Sequence, residues 1–159
     1  MRLSFLFLPL ALAATACSPT GERSNPRSFR VLASDPTAPD GVFENRSARF
    51  ECAEWQQGCQ EADANTDCQC VRYRLVTRAF TMTFAASTPL GRTMTTGDRS
   101  LEVRAPSDYA SFGTGELTLT RARRIDDWGG GYFVDLAGIF SVKIGGLTLT
   151  RGVFYSEAR

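Results

Sequence analysis

The stretch that decides the fold runs from Tyr132 to Phe154: Tyr132-Phe133-Val134-Asp135-Leu136-Ala137-Gly138-Ile139-Phe140-Ser141-Val142-Lys143-Ile144-Gly145-Gly146-Leu147-Thr148-Leu149-Thr150-Arg151-Gly152-Val153-Phe154. Tyr132, Val134, Leu136, Gly138, Phe140, Val142 and Ile144 are all even, so they share one face of a strand or of a kinked strand pair. Gly145-Gly146 supplies the two-residue turn of a hairpin. In the returning strand Leu147 and Leu149 point inward. The phase then shifts at Arg151-Gly152, where Gly152 is the natural bulge residue, and Phe154 faces the core again.

Working outward, the same period recurs. Leu117 and Leu119 alternate with Thr118 and Thr120, and Leu101 and Val103 share a face. Between Cys70 and Ala85 the apolar phase is Val71, Tyr73, Leu75, then Phe80, Met82, Phe84. The parity change predicts a bulge, or a bend between sheets, near Val76 to Arg78. Arg49 to Cys52 ends an earlier strand, and Phe29 to Ala33 adds an edge strand. No window outside the N-terminal segment keeps a helical period. The chain therefore reads as all-β, an antiparallel β-sandwich or partly open barrel with a disulfide-stapled loop.

The first sixteen residues have a different character. Arg2 opens an apolar run from Leu3 to Ala13, too short to span a bilayer, which takes ~20 residues. Small residues Ala14-Thr15-Ala16 then precede Cys17. This resembles the lipobox of bacterial lipoprotein signals, with Ala14 where Leu is commonest. It also satisfies the rule for ordinary signal cleavage. The chain has five cysteines, Cys17, Cys52, Cys59, Cys68 and Cys70. An odd thiol in an exported protein asks for an explanation, and lipidating Cys17 leaves four that can pair. The organisation predicted is a lipoprotein signal peptide over 1–16, a flexible tether over 17–41 bearing lipidated Cys17, and a β-domain over 42–159. Attached acyl chains, palmitate among them, would hold the protein to a membrane. Ser18 in place of Asp favours the bacterial outer membrane, on its periplasmic face.

Removing the signal leaves roughly 140 residues, enough for one domain with its own core. It also removes one Arg and no acid from a chain of formal charge +1, leaving an even balance. That argues against a nucleic-acid partner, which needs a strong positive field. The single lysine, Lys143, stands beside 17 arginines. There is no histidine, which removes Ser–His and Cys–His nucleophile pairs and every His-containing metal site. No nucleophile elbow, P-loop or dinucleotide fingerprint occurs.

Three features are candidates for chemistry. Cys52, Cys59, Cys68 and Cys70 allow three pairings. A Cys68–Cys70 bond would close a tiny ring and is disfavoured. The nested choice, Cys52–Cys70 with Cys59–Cys68, staples a hairpin at its base and partway up, and the crossed pairing stays open. A zinc knuckle fits poorly, because the C-x6-C-x8-C-x-C spacing is not a standard ligand pattern. Inside that loop Asp63, Asn65 and Asp67 repeat the D-x-N-x-D spacing of a calcium loop. The pattern then fails, with Cys68 where the loop needs Gly and Arg74 where it needs a bidentate Glu. Third, Trp128 sits in Asp126-Asp127-Trp128-Gly129-Gly130-Gly131, after Arg121-Ala122-Arg123-Arg124, as an aromatic tip able to meet a glycan, a peptide or lipid headgroups. Glu102, Glu116 and Asp135 lie on or beside strands. Glu116 and Asp135 have the parity of the outer face, so they should point to solvent and are not nominated as a catalytic pair.

The runs Gly115-Glu116-Leu117-Thr118-Leu119-Thr120, Leu136-Ala137-Gly138-Ile139-Phe140-Ser141-Val142 and Leu149-Thr150-Arg151-Gly152-Val153-Phe154 resemble the ending of certain small bacterial lipoproteins of uncharacterised function with a C-terminal β-sheet domain. The likeness covers about residues 115 to 155. It implies a fold and no activity, cofactor or site residue. The expectation is a lipid-anchored envelope protein, a non-catalytic binding or structural module without a cofactor, whose partners are the membrane and an envelope protein or glycan. The alternatives are a carboxylate-based envelope hydrolase and a calcium-dependent binding module.

Overall fold

The strands from Phe29 to Ser156 form one continuous antiparallel sheet. The computed structural model describes residues 21–59, 68–107, 110–127 and 130–156. Nine strands occur among them: β1 (Phe29–Ser34), β2 (Val42–Trp55), β3 (Cys70–Val76), β4 (Thr81–Ala85), β5 (Thr93–Thr95), β6 (Leu101–Arg104), β7 (Thr114–Asp126), β8 (Tyr132–Ile144) and β9 (Leu147–Ser156). No helix occurs among the described residues. The strand order is β5-β7-β8-β9-β1-β2-β3-β4-β6. Its two ends nearly meet. The Gly113 amide donates to the Val103 carbonyl (2.9 Å) and the Ala105 amide to the Ser111 carbonyl (3.1 Å), so β6 hydrogen-bonds the chain leading into β7, while β5 pairs with Glu116 to Thr118 on the same edge. Of the two architectures the sequence allows, the nearly closed barrel is the one formed. It removes most of the exposed edge that an open sheet would leave.

The even residues of β8 behave as their phase demands from Leu136 to Ile144, and all are buried. Gly145, with φ +56°, makes the turn into β9. The bulge between β8 and β9 differs from expectation. The residue with left-handed backbone is Arg151 (φ +51°), not Gly152. Gly152 is needed for a different reason. It pairs directly with Phe140, and a Cβ there would lie 2.5 Å from the Phe140 ring. Gly138 pairs in the same way with Phe154, whose ring would be 2.7 Å from its Cβ. Each strand thus lends the other a bare backbone for an aromatic ring to cover.

Those rings belong to a column that fills the barrel. Phe29 and Phe50 stack edge to face at 4.8 Å, Phe50 reaches Phe154 at 5.3 Å, and Phe80 reaches Phe140 at 5.4 Å. Such pairs contribute about 0.5–1.5 kcal/mol each beyond the area they bury. Leu75, Met82, Leu117 and Leu136 complete the packing. Barrels of about eight strands are narrow enough for side chains to fill them, and this nine-stranded, nearly closed one is filled in that way.

Three further expectations are corrected. β1 is not an edge strand. It lies between β2 and β9, with Phe29 and Val31 fully buried, so the segment 17–41 is not tether throughout. Residues 35–41, with Pro36, Pro39 and Gly41, form the β1–β2 loop, in which Asp35 Oδ1 accepts from the Thr37 amide (2.9 Å) and hydroxyl (2.7 Å). The parity change after Leu75 is a tight reversal between β3 and β4, not a bulge. The Thr77 amide donates to the Phe80 carbonyl (3.0 Å), and Thr77 Oγ1 accepts from the Ala79 and Phe80 amides. The turn is built by a threonine side chain, so it lacks the Gly or Pro that would mark it. Val71, expected inward, is 44 % exposed at the barrel rim.

Candidate functional site at the N-terminal end of the barrel

The ends of β2, β4, β7 and β9 and the starts of β1, β3, β6 and β8 share one end of the barrel. Across its mouth lies a strap of residues 21–27. The Glu22 amide donates to the Cys68 carbonyl (2.7 Å) on the β3 side. The Arg23 amide donates to the Tyr132 carbonyl (2.7 Å) on the β8 side, and the Asn25 side-chain amide to the Val134 carbonyl (3.0 Å). Arg23 also pairs with Asp127 at 2.9 Å.

Glu22 is the pin of this strap. Its carboxylate is 7 % exposed. Oε2 accepts the Cys70 amide at 2.9 Å, and Oε1 takes a short hydrogen bond from the Tyr73 hydroxyl. Burial raises the Glu22 pKa above its ordinary value, against the lowering effect of the Tyr73 and Cys70 hydrogen bonds. Burial also pushes the Tyr73 phenol up, assisted by the neighbouring carboxylate. Tyr73 packs on Phe84 with ring centroids 6.2 Å apart, so the pin reaches directly into the aromatic column.

Two disulfides lock the loop beside the strap, Cys52–Cys70 and Cys59–Cys68, in the nested arrangement. The first spans a break in the β2–β3 register between Cys52 and Glu54. Cys17, the calcium-loop candidates Asp63, Asn65 and Asp67, and Trp128 lie outside the described residues. β2 ends and β3 begins, and β7 ends and β8 begins, at this same end. Trp55, the last residue of β2, is there too and is half-buried.

The carboxylates are dispersed. Glu102 forms a bidentate pair with Arg104 (2.9 and 3.2 Å). Glu116 is exposed on β7. Asp135 corrects the parity argument, being 5 % exposed rather than solvent-facing. The β7 register slips between Leu119 and Arg121, which brings the Arg121 guanidinium to 3.2 Å from Asp135 Oδ2 and covers it. A groove of about 370 Å³ on the outer wall, over Ile139 and Val153, holds only Glu116 among acids.

The sequence reading missed the strap and one further set. Arg72 on β3, Arg92 before β5 and Arg99 in the β5–β6 loop line a cleft of about 320 Å³ at this end. They are far apart in sequence and carry no motif, so only the fold brings them together. No family model matches the chain, and no curated protein or solved structure shows significant similarity to it.

Proposed function

We propose that this is a lipid-anchored bacterial envelope protein, a non-catalytic binding or structural module held by Cys17 to the outer membrane and facing the periplasm. The observation that carries the reading is the cysteine pairing. Cys52, Cys59, Cys68 and Cys70 are consumed in two disulfides, which leaves Cys17 as the one cysteine of five without an intrachain partner. Disulfides of this kind persist in oxidising compartments outside the cytoplasm. The residues before Cys17 carry the lipobox pattern, and Ser18 follows it in place of the inner-membrane Asp.

The strap sharpens this reading. From Cys17 to Gly21 the chain can extend at most ~14 Å. A lipid on Cys17 therefore sets the Glu22 end of the barrel against the headgroups, with the β2–β3 and β7–β8 loops beside the membrane. Because the barrel interior is filled by phenylalanines, binding belongs to the outer surface and the loops.

The test is the mass of the mature N-terminal peptide, together with membrane fractionation of the wild type and of Cys17→Ser. The expected result is a chain beginning at Cys17 with added acyl mass in the wild type, and no acylation in the variant. A mature chain with an unmodified Cys17 thiol would overturn the anchor.

A further inference from the structure

We propose that the cleft between the β4–β5 loop (86–92) and the β5–β6 loop (96–100), lined by Arg72, Arg92 and Arg99, binds a phosphate-bearing ligand. The inference goes beyond the anchoring reading and does not require it.

Three observations meet here. The first is charge. Three arginines line a cleft of about 320 Å³, and no Asp or Glu is among its lining residues. None of the three has an ion pair among the described residues. Many other arginines do, including Arg23, Arg30, Arg46, Arg49, Arg74, Arg104, Arg121 and Arg124. In a chain of near-even charge, three arginines without an ion pair on one cleft are a local positive field awaiting an anion. The nearest acid by sequence, Asp98, is turned into its own loop. Its Oδ1 accepts from the Ser100 amide (2.9 Å) and hydroxyl (2.5 Å), which engages one of its two carboxylate oxygens.

The second is backbone. Arg99 has φ +64°, one of only two non-glycine residues with left-handed backbone among those described. An L-residue there is disfavoured by about 1 kcal/mol or more relative to right-handed backbone. Gly97 stands two positions earlier in the same loop, so a relaxed residue was within reach of this turn. Strain retained at a residue lining a cleft is the pattern of a functional position.

The third is chemistry. Guanidinium groups offer planar pairs of N–H donors that match the oxygens of a phosphate, and they stay charged at every physiological pH. The Ser87 hydroxyl lies in the same wall. Arg72 and Arg99 also line the adjoining cleft of about 450 Å³, where Leu101, Val103 and Phe112 leave room for an apolar portion of the ligand and the one carboxylate, Glu102, is paired with Arg104. The site opens at the barrel end that carries the strap. The phosphate can thus be that of an anionic lipid headgroup or of a soluble phosphate ester.

The test uses the full chain in neutral detergent micelles. It is titrated with inorganic phosphate, with pyrophosphate, and with micelles doped with phosphatidylglycerol, phosphatidylcholine serving as the zwitterionic control. Binding is read by calorimetry and by the shift in melting temperature, at low and at raised salt. Saturable binding to phosphate or pyrophosphate supports the site and names a soluble ligand. Saturable binding confined to phosphatidylglycerol supports it and names the headgroup. In either case Arg92→Gln and Arg99→Gln should each weaken binding about tenfold, the loss of one charge-assisted contact. Both side chains are exposed, so the unliganded melting temperature should hold. No saturable binding to any of these probes would overturn the proposal. So would binding that both substitutions leave unchanged.

Discussion

Replacing Glu22 with Ala removes the side chain that joins the N-terminal strap to Tyr73 and the start of β3. Two donors lose their acceptor, the Cys70 amide and the buried Tyr73 hydroxyl. A buried donor left without a partner costs about 1–3 kcal/mol. Water can reach the vacated site in part, so the expected loss is about 3 kcal/mol in all. The assay is amide hydrogen exchange followed residue by residue, because the strap can open without the barrel unfolding. The Cys70 amide should lose protection by roughly a hundredfold, at 1.4 kcal/mol per factor of ten. The amides of β8 from Leu136 onward should change little. Glu22→Gln is the control. Its carbonyl oxygen can accept the Cys70 amide while its NH2 donates to the Tyr73 oxygen, so protection should stay near wild type at neutral pH. If Cys70 keeps its wild-type protection in Glu22→Ala, the carboxylate is not what pins the strap, and the short reach between Cys17 and the barrel loses its basis.

The remaining predictions are independent of one another. The Glu22 pKa is raised in the folded chain, so its contribution to docking is full below the ordinary value of 4.5 and declines as pH rises through the folded value. Strap protection, corrected for intrinsic exchange, should therefore fall with rising pH in the wild type and stay flat in Glu22→Gln; identical profiles would refute the linkage. Removing the Cys52–Cys70 bridge by paired Ala substitutions opens an 18-residue loop, worth about 3 kcal/mol, or about 10 °C in melting temperature for a domain of this size. An unchanged melting temperature would show that the bridge adds no stability. Gly152→Ala places a methyl 2.5 Å from the Phe140 ring and should cost about 1–3 kcal/mol, with partial recovery when Phe140→Leu is added. Equal losses with and without that second change would mean the ring is not the obstacle.

The legibility of the chain followed the range of its interactions. Period-two alternation is local, so Leu117, Leu119, Leu136, Phe140, Phe154 and their strands could be read directly. So could the two-glycine turn at Gly145-Gly146, whose backbone demands are met within the turn itself. The Thr77 turn was missed because a side-chain oxygen does the work usually marked by Gly or Pro. Asp135 was misplaced because a register slip elsewhere on β7 brings Arg121 over it, and slips leave no trace in alternation.

The sequence alone determined the class, an antiparallel β-domain. It also determined the phase of most core residues, the near-even charge, the absence of histidine chemistry, and the expectation of an export signal before Cys17. Tertiary structure alone decided that β1 pairs with β9 and brings the sheet close to a full barrel. It decided that the segment read as tether instead docks through Glu22, and that Arg72, Arg92 and Arg99 share one cleft. Each of these joins residues distant in the chain. A pairing of that kind depends on how the strands curl and where their ends come to rest, and local propensity carries no record of either.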